Sequence, residues 1–455
     1  MDAAERRSLL AQGAVGLASF LTPFTYGALS VAMPTIGREF GFPAREMAMV
    51  MMVHILFSTS LMLPIGRASD IIGRRGLFMG GSLLFMASSL AAGLAHGPWT
   101  LLAARALQGV GDALTFGVSG AILVSIVPPE RTGRAIGVNL TFIFAGLALG
   151  PLVGGVLTSL VSWRVIFFVS ALAGVAAFEL IRRGYPEDHA RRGRLPVRDA
   201  LLFIPAMLGL ILGASVQPSL WGFALALGSG LILRRFIVFQ ERSAKPLVDV
   251  RYVRSNRPFA LSNLAAVLGY AAAFSTSFLL SLLMQSVMGL SPKEAGYLLL
   301  VMPAVQACTS PLAGMLSDVM HPAKAGAAGL AVLGCGLWAL AVNGHGESAA
   351  WVVWVQVVLG FGFSLFVSPN FNAIMASSDP AHKGMASGFM STMRGLGMCL
   401  SLSVTGLVLA LAIGQERAAQ AGPEALTGLR ICFGLFGTSA LAAAAVSWRA
   451  SRARP

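Results

Sequence analysis

Two short stretches decide the fold of this chain: residues 66–75 read GRASDIIGRR, and residues 314–318 read GMLSD. Each starts with glycine, carries aspartate four residues later and ends a long apolar run, and the two lie 314 − 66 = 248 residues apart. A second pair, GVG at 109–111 and GFG at 360–362, lies 360 − 109 = 251 residues apart within other apolar runs. Two unrelated pairs with nearly the same offset indicate two duplicated halves.

Working outward from these stretches, the sequence contains fourteen apolar runs. A helix that crosses a bilayer needs about 20 mainly apolar residues. The runs lie near residues 9–33, 47–65, 77–95, 99–127, 135–157, 165–181, 200–216, 220–238, 259–288, 296–316, 325–342, 351–375, 385–413 and 429–446. The eighth is the weakest, because Arg234 and Arg235 leave a clean stretch of only fourteen residues, although their side chains can reach the interface. We therefore predict an all-α polytopic membrane protein with fourteen transmembrane helices.

The composition excludes the other broad classes of protein. Of the 455 residues, 56% are hydrophobic and only 11% are Asp, Glu, Lys or Arg, whereas soluble domains contain about 25% charged residues. The apolar content also excludes an intrinsically disordered chain. The net charge of +14 raises the question of nucleic-acid binding, but that would require a solvated basic surface. We expect no nucleic-acid partner.

The positions of the basic residues indicate that the net positive charge reflects the orientation of the protein in the membrane. With the N-terminus inside, the two tails and the even-numbered connections between runs carry 25 of the 33 Lys and Arg residues, and the opposite side carries six. Cytoplasmic loops of membrane proteins are enriched in Lys and Arg. We therefore predict a multi-pass protein of the bacterial cytoplasmic membrane with both termini in the cytoplasm.

Several motifs, in order along the chain, resemble those of the major facilitator superfamily. Residues 66–75 resemble its cytoplasmic signature loop, and residues 105–111 (RALQGVG) resemble its helix 4 motif. Residues 146–155 (GLALGPLVGG) resemble the helix 5 motif of its antiporters. The stretches that resemble the fourteen-helix drug:proton antiporter family are SWR at 162–164, QSVMGLSPKEAG at 285–296 and the segment 384–394. The resemblance covers essentially the whole chain.

The resemblance implies the major facilitator fold, with two six-helix halves and two inserted helices. The corresponding boundaries are 1–184 for the N-terminal half, 185–257 for the inserted helices with their basic linkers, and 258–455 for the C-terminal half. One departure concerns helix 1, where the family commonly has an acidic residue about nine positions before its Ala-Leu-Pro turn. Here that turn is Ala32-Met33-Pro34, and the earlier position is Thr25. The usual helix 1 proton site is therefore missing.

Asp112 is the candidate to replace it. It is the one acidic residue of nineteen that lies deep within a run, where charged side chains cost at least ~2.5–3.5 kcal/mol. Arg105, seven residues earlier, shares a helix face with Asp112, and His54 is the only one of six histidines inside a run. We predict proton coupling by Asp112, with Arg105 and His54 as further members of the site. The alternatives are a structural aspartate bonded to a neighbouring helix and a hydrogen-bonded interior histidine.

Two other motifs predict conformational elements. The gating residues are expected to be Gly66, Asp70, Gly73, Arg74 and Arg75 of the signature loop, together with Asp318 of its repeat. The alternative role of that loop is topological anchoring. The antiporter motif contributes Gly146, Gly150, Pro151, Gly154 and Gly155, whose small side chains permit close helix packing and whose proline permits a bend.

The substrate cavity is expected near the midplane between the halves. Its candidate lining residues are Phe24, Thr25, Tyr26, Phe57, Asp112, Phe116, Phe142, Gln285, Asn370 and Arg394. Aromatic walls suit lipophilic compounds, and a lone carboxylate favours cations. Arg394 could pair with Asp112 across the halves or bond backbone carbonyls, and the alternative role of each aromatic residue taken alone is helix packing or lipid contact.

Catalytic and metal-binding patterns are absent from the sequence. It contains no G-x-S-x-G, no phosphate-binding loop and no His or Cys cluster with metal-ligand spacing. We therefore expect a transporter rather than an enzyme, with no cofactor or metal and with the proton gradient as its energy source. The expected partners are protons, the lipid bilayer and small lipophilic, cationic substrates exported by a monomer. A proton-linked transporter of an endogenous metabolite and a membrane receptor or channel are the competing hypotheses.

Overall fold

The computed structural model describes residues 3–128, 132–186, 197–243, 246–343, 348–379, 382–413 and 422–453. These residues are almost entirely helical, and no β-strand occurs among them. The helices are α1 (Ala3–Phe40), α2 (Ala44–Ile72), α3 (Arg74–Gly93), α4 (Pro98–Ile126), α5 (Thr132–Leu160), α6 (Arg164–Gly184), α7 (Val197–Ser215), α8 (Leu220–Arg242), α9 (Val250–Ser255), α10 (Arg257–Ala273), α11 (Thr276–Leu282), α12 (Pro292–Leu299), α13 (Val301–Val319), α14 (Pro322–Val342), α15 (Ala349–Ala376), α16 (Lys383–Ile413) and α17 (Gly422–Ala450).

Fourteen spans in this part of the chain are long and apolar enough to cross a membrane. They correspond one to one with the predicted runs, so the prediction of an all-α protein with fourteen transmembrane helices is confirmed. The weak eighth run is the continuous helix α8, which passes through both of its arginines. Two runs are subdivided: the ninth consists of α10, α11 and a π-helical turn at Leu283–Val287, and the tenth consists of α12 and α13.

Local sequence explains where helices begin and end. Gly73 separates α2 from α3 with φ 102°, a left-handed conformation that glycine adopts without steric cost. At the start of α12, Ser291 accepts a hydrogen bond from the Glu294 N–H, and the Glu294 carboxylate accepts one from the Ser291 N–H. This capping box, with proline at the first helical position, starts α12 four residues before the predicted tenth run.

Two six-helix halves pack around equivalent contacts, as the duplicated sequence predicts. In the first half, Gly111 of α4 lies against α3, where an added Cβ would be 2.7 Å from the Phe85 nitrogen. In the second half, Gly362 of α15 lies against α14, where an added Cβ would be 2.7 Å from the Leu333 nitrogen. The two glycines therefore permit the same close crossing in each half.

For orientation, we call the end of the bundle at which α1 begins the termini face and the end at which α1 finishes the α1–α2 face. The halves meet along α2 against α16 and along α5 against α12. Near the α1–α2 face, Gln285 donates a hydrogen bond to the Val31 carbonyl (2.9 Å), and the Lys293 N–H donates one to the Ser159 hydroxyl (3.0 Å). The largest buried apolar cluster also includes residues of both halves. The two halves are thus joined firmly at this face.

The inserted pair α7–α8 packs beside the contact between α2 and α16. Helix α7 touches α8, α2 and α16. At the connection between α7 and α8, Arg45 of α2 donates a hydrogen bond to the Gln217 carbonyl. At the other end of the pair, Gln240 of α8 accepts a hydrogen bond from the Leu247 N–H (2.6 Å). The insertion therefore contacts both halves.

Candidate functional site

Asp112 lies on α4 in the interior of the N-terminal half and is 4% exposed. Its Oδ1 accepts a hydrogen bond from the Thr22 hydroxyl of α1. Its Oδ2 accepts one from the Ser58 hydroxyl of α2 at 2.7 Å. The carboxyl group is therefore held by hydroxyls from two neighbouring helices, which satisfies both oxygens away from water.

His54 brings a second titratable group to the same carboxylate. Its Nε2 lies 3.6 Å from Oδ2 of Asp112, and its side chain is equally inaccessible to solvent. Its Nδ1 has no hydrogen-bond partner among the residues the structure describes. Sequence reasoning grouped both residues in one proton-coupling site, and the structure brings their side chains together from two different helices.

Arg105 lies on α4 about two helical turns from Asp112, toward the α1–α2 face, and is 1% exposed. Its Nε donates to the Val50 carbonyl (3.3 Å), and its Nη1 donates to the Gln108 amide oxygen. Gln108 in turn donates to the Ser89 hydroxyl at 2.7 Å. Arg105 makes no ion pair with Asp112 within the described ranges but lies within electrostatic range of it. The N-terminal half therefore contains a buried cation and a buried anion on one helix, each with its own hydrogen-bond partners.

A small cavity borders Asp112 on the side away from α2. It is lined by Ala18, Leu21, Ser82, Phe85, Asp112, Thr115, Gly174 and Ala177. These residues belong to α1, α3, α4 and α6, so the cavity lies inside the N-terminal half and not between the halves. Asp112 thus borders a space that is separate from the expected substrate site.

Arg394 occupies the corresponding depth in the C-terminal half, on α16. It is half-buried, and its guanidinium lies within electrostatic range of the Tyr270 hydroxyl of α10. The Tyr270 ring packs edge-on against Phe363 of α15, with ring centroids 5.4 Å apart. The structure does not bring Arg394 to Asp112, whose polar partners are on α1 and α2.

Most of the expected lining residues of α1 and α5 lie in contacts between helices. The Phe24 ring of α1 is buried and stacks on Phe20, with centroids 5.2 Å apart, and the Phe142 ring of α5 lies against Gly16 of α1. The Thr25 hydroxyl lies 3.3 Å from that of Ser170. These aromatic side chains therefore serve helix packing, which was the alternative role considered from the sequence.

The other expected lining residues are distributed over both halves. The Tyr26 hydroxyl donates to the Phe274 carbonyl (2.9 Å), which joins α1 to the C-terminal half. Phe57 of α2 packs against Gly109 of α4, and Phe116 is half-buried on α4, one turn from Asp112. Asn370 is buried on α15 and is 4% exposed.

The signature loop joins helices within the N-terminal half. Arg74 donates to the Ala121 carbonyl of α4 (3.2 Å), and Arg75 donates to the Arg182 carbonyl of α6 (2.7 Å). Gly66 faces Gly117 of α4 across 3.9 Å, measured from an added Cβ. The side chains of Asp70 and Asp318 lie outside the described part of the structure, so their predicted gating role stays a prediction.

The antiporter motif places α5 directly against α1 and α12. Added Cβ atoms on Gly146 and Gly150 would lie 2.9 Å from Pro23 Cγ and 2.6 Å from the Phe24 oxygen, respectively. One on Gly154 would lie 2.8 Å from Ala28 Cβ. Gly155 faces the other half, where an added Cβ would lie 2.5 Å from the Pro292 oxygen, and Pro151 is buried between them. The motif therefore lets α5 approach helices of both halves.

Three polar side chains at these sites were missed by sequence reasoning: Thr22, Ser58 and Tyr270. Serines and threonines in membrane helices commonly bond a carbonyl of their own helix, as Ser89 does with the Phe85 carbonyl (2.6 Å). Nothing in the sequence separates those from hydroxyls that reach another helix. The search for metal sites found no group of three or more His, Cys, Asp or Glu side chains within the described residues.

Two six-helix halves with an inserted helical pair define a polytopic membrane transporter. The sequence matches the family model described as Major Facilitator Superfamily over residues 15–402. The chain therefore belongs to the major facilitator superfamily, whose members are transporters rather than enzymes.

Two relatives carry names that refer to drug resistance. The multidrug resistance protein Stp of Mycobacterium tuberculosis is 30% identical over 89% of this chain and 76% of that protein. The methyl viologen resistance protein SmvA of Salmonella typhimurium is 29% identical over 87% of this chain and 81% of that protein. Among solved structures, a peptide transporter POT in complex with sulfate has a TM-score of 0.74, with 16% identity over 97% of this chain and 95% of that one. That structure supports the fold alone.

Proposed function

We propose that this protein is a proton-coupled drug exporter that works by alternating access, with Asp112 as the proton carrier. The observation that carries the proposal is the environment of Asp112: a single deep carboxylate, 4% exposed, with hydroxyl donors from two helices. Such a group can take up or release a proton only when its surroundings change, because burial disfavours the charge and the donors favour it. Proton occupancy and helix arrangement are therefore coupled.

The contacts of Asp112 indicate how that coupling reaches the halves. Thr22 lies on α1, which packs on α5, and Ser58 lies on α2, which packs on α16. Protonation removes one acceptor site from the carboxylate and changes its bonds to these hydroxyls. Since α5 and α2 form the contact with the C-terminal half, a change at Asp112 acts on the helices that must move. His54 provides a second group that can exchange a proton with the same oxygen.

For the orientation, we propose that the termini face is cytoplasmic, in a bacterial inner membrane. The support is the distribution of basic residues, 25 on that side against six on the other. The joined α1–α2 face would then be the outer gate, and substrate would enter from the cytoplasm and leave when that gate opens. The protein would work as a monomer on lipophilic compounds.

A preference for cations depends on the position of the Asp112 carboxylate. It requires that the carboxylate of Asp112 reach the substrate, whereas that carboxylate is bonded to Thr22 and Ser58 inside the N-terminal half. The cationic preference therefore stays a prediction from the sequence.

The proposal is tested with purified protein in proteoliposomes that contain a pH-sensitive dye. Addition of lipophilic dyes that carry positive, negative or no charge should move protons together with each transported dye. Asp112→Asn should abolish uphill transport and leave dye exchange at equal concentrations partly intact. Glu179→Gln is the matched control, because that carboxylate is paired with Arg182 at the surface end of α6. Normal pumping by Asp112→Asn, or transport of every dye without proton movement, would refute the proposal.

A further inference from the structure

We propose that Arg394 is the charged anchor of the substrate site and that it selects lipophilic compounds bearing a carboxylate or sulfonate group. The inference deepens the proposed function and rests on it, since it takes the space between the halves as the place where substrate binds. It assigns the opposite charge preference to the one expected from the sequence.

The first step concerns which charges are accessible at this depth. Asp112 and Arg105, 4% and 1% exposed, have their hydrogen-bonding atoms engaged inside the N-terminal half. Arg394 is half-buried, and none of the salt bridges among the described residues includes it. An unpaired guanidinium in a membrane-spanning segment is costly, so its presence requires an anion or water beside it. The accessible charge between the halves is therefore positive.

The second step concerns the direction in which Arg394 points. On α16, Gly395 packs against Thr59 of α2, and Gly397 packs against Tyr270 of α10, 3.0 Å from an added Cβ. Successive residues of an α-helix are separated by about 100°, so Arg394 lies about 100° from the first contact line and about 60° from the second. It falls on the shorter arc between them. That arc faces the space bounded by α2 of one half and α10 of the other.

The third step is the accessibility of that arc. Ser387 and Ser391 lie on the same side of α16 as Arg394, toward the termini face. Ser387 is exposed and Ser391 is half-buried, whereas Ser401, on the far side of Arg394, is 0% exposed and accepts a hydrogen bond from the Ser275 N–H (3.0 Å). Exposure thus falls from the termini face inward. A compound that enters from the termini face therefore reaches Arg394 before it reaches the buried part of α16 around Ser401.

The fourth step is the surface beside the guanidinium. Tyr270 lies against Gly397, three residues after Arg394 on α16, at 3.0 Å from an added Cβ, and its ring packs against Phe363 and Phe366 of α15, with centroids 5.4 and 6.0 Å away. The side of α16 that carries Arg394 therefore borders an aromatic cluster. A planar fork of N–H donors binds a carboxylate or sulfonate through two hydrogen bonds, and the neighbouring rings accept the apolar part of the same molecule. The site fits a lipophilic anion.

The test uses three fluorescent probes with one ring system and different charges: dansylglycine (anionic), dansylamide (neutral) and dansylcadaverine (cationic). Binding is measured by fluorescence titration of the full-length protein in nanodiscs, with empty nanodiscs subtracted. The wild-type protein should bind dansylglycine at least about tenfold more tightly than dansylcadaverine, the size of effect that one charged hydrogen-bonded pair provides. This comparison does not depend on any variant folding.

Variants then assign the preference to one residue. Arg394→Gln should weaken dansylglycine about tenfold or more and leave dansylamide unchanged, and Arg394→Lys should be intermediate because it keeps the charge but loses the fork. Arg38→Gln, which removes an exposed arginine at the end of α1, is the control for overall charge and should change nothing. A wild-type preference for dansylcadaverine, no binding of any probe, or an unchanged preference in Arg394→Gln would overturn the inference. Failure of the proposed function differs: the probes would bind in the expected order, but no proton would move with any dye.

Discussion

The contact between Gly155 and Gly296 is where a single methyl group should change the conformation of the transporter. An added Cβ on Gly296 would lie 2.5 Å from the Pro151 oxygen and 3.2 Å from Gly155 Cα. Ordinary contact begins at 3.4 Å, so the helices must separate by about 3.4 − 2.5 = 0.9 Å. Both partners are backbone atoms, which cannot rotate away as a side chain can. Gly296→Ala should therefore open the α1–α2 face.

Overpacking of a well-packed contact costs about 1–3 kcal/mol. Because about 1.4 kcal/mol corresponds to a factor of ten, the closed state should lose population by between about fivefold and about a hundredfold. The assay is double electron–electron resonance in a background without the four native cysteines. Spin labels at Arg38 and Ala350, both exposed at this face, should show growth of a longer-distance population.

The matched control is Gly120→Ala, because that glycine is exposed on α4 and has nothing within 4 Å of an added Cβ. Both substitutions place the same methyl group in a helix, so the general gain in helix propensity cancels. If the distance distribution of Gly296→Ala equals that of Gly120→Ala and of the wild type, the glycine contact does not hold this face closed. The role assigned to the α5–α12 contact would then be wrong.

Two further substitutions test individual contacts. Gly73→Ala places a Cβ at φ 102°, where L residues are strained by roughly 1–2 kcal/mol. We therefore expect the variant to have a lower thermal unfolding midpoint than the wild type in the same detergent. An unchanged midpoint would mean that the α2–α3 turn relaxes to accommodate the side chain. Thr22→Val keeps the side-chain shape but removes a donor to Asp112, and we expect a loss of about 1–3 kcal/mol in unfolding free energy from the under-satisfied buried carboxyl. Thr141→Val is its control, since that exposed hydroxyl bonds only the Gly137 carbonyl of its own helix, and equal effects from both would contradict the prediction.

The helices could be predicted because their signal is local. Each run of about 20 apolar residues requires a helix in the membrane whatever the rest of the chain does. The duplicated glycines also predicted equivalent helix crossings. Gly111 packs against α3 in the first half, and Gly362 packs against the corresponding helix α14 in the second. The subdivisions within the ninth and tenth spans could not be read from hydropathy. The start of α12 at Pro292 follows instead from the hydrogen bonds between Ser291 and Glu294.

For the candidate site, the sequence predicted the depth of the charged residues in the membrane but not the direction of their side chains. Depth along a helix can be read from the sequence, and this identified Asp112, Arg105 and Arg394. The direction of each side chain depends on helix rotation and on the neighbour that it meets, and these are set by packing. Asp112 therefore lies among hydroxyls of α1 and α2 rather than in the space between the halves. Arg394 lies beside the contact between Gly397 and Tyr270, a residue that no motif distinguished.

The inserted pair has a mechanical consequence for a protein of this design. Helix α7 touches α2 of one half and α16 of the other, and Arg45 binds the turn between α7 and α8. If the halves rotate against each other in the proposed alternating-access cycle, α7 cannot keep its register with both neighbours and must slide along one of them. The position of α7–α8 relative to α2 or α16 would therefore follow the movement of the halves. A fluorophore on the outer surface of the pair would change its surroundings once per turnover and would let single transport cycles be counted.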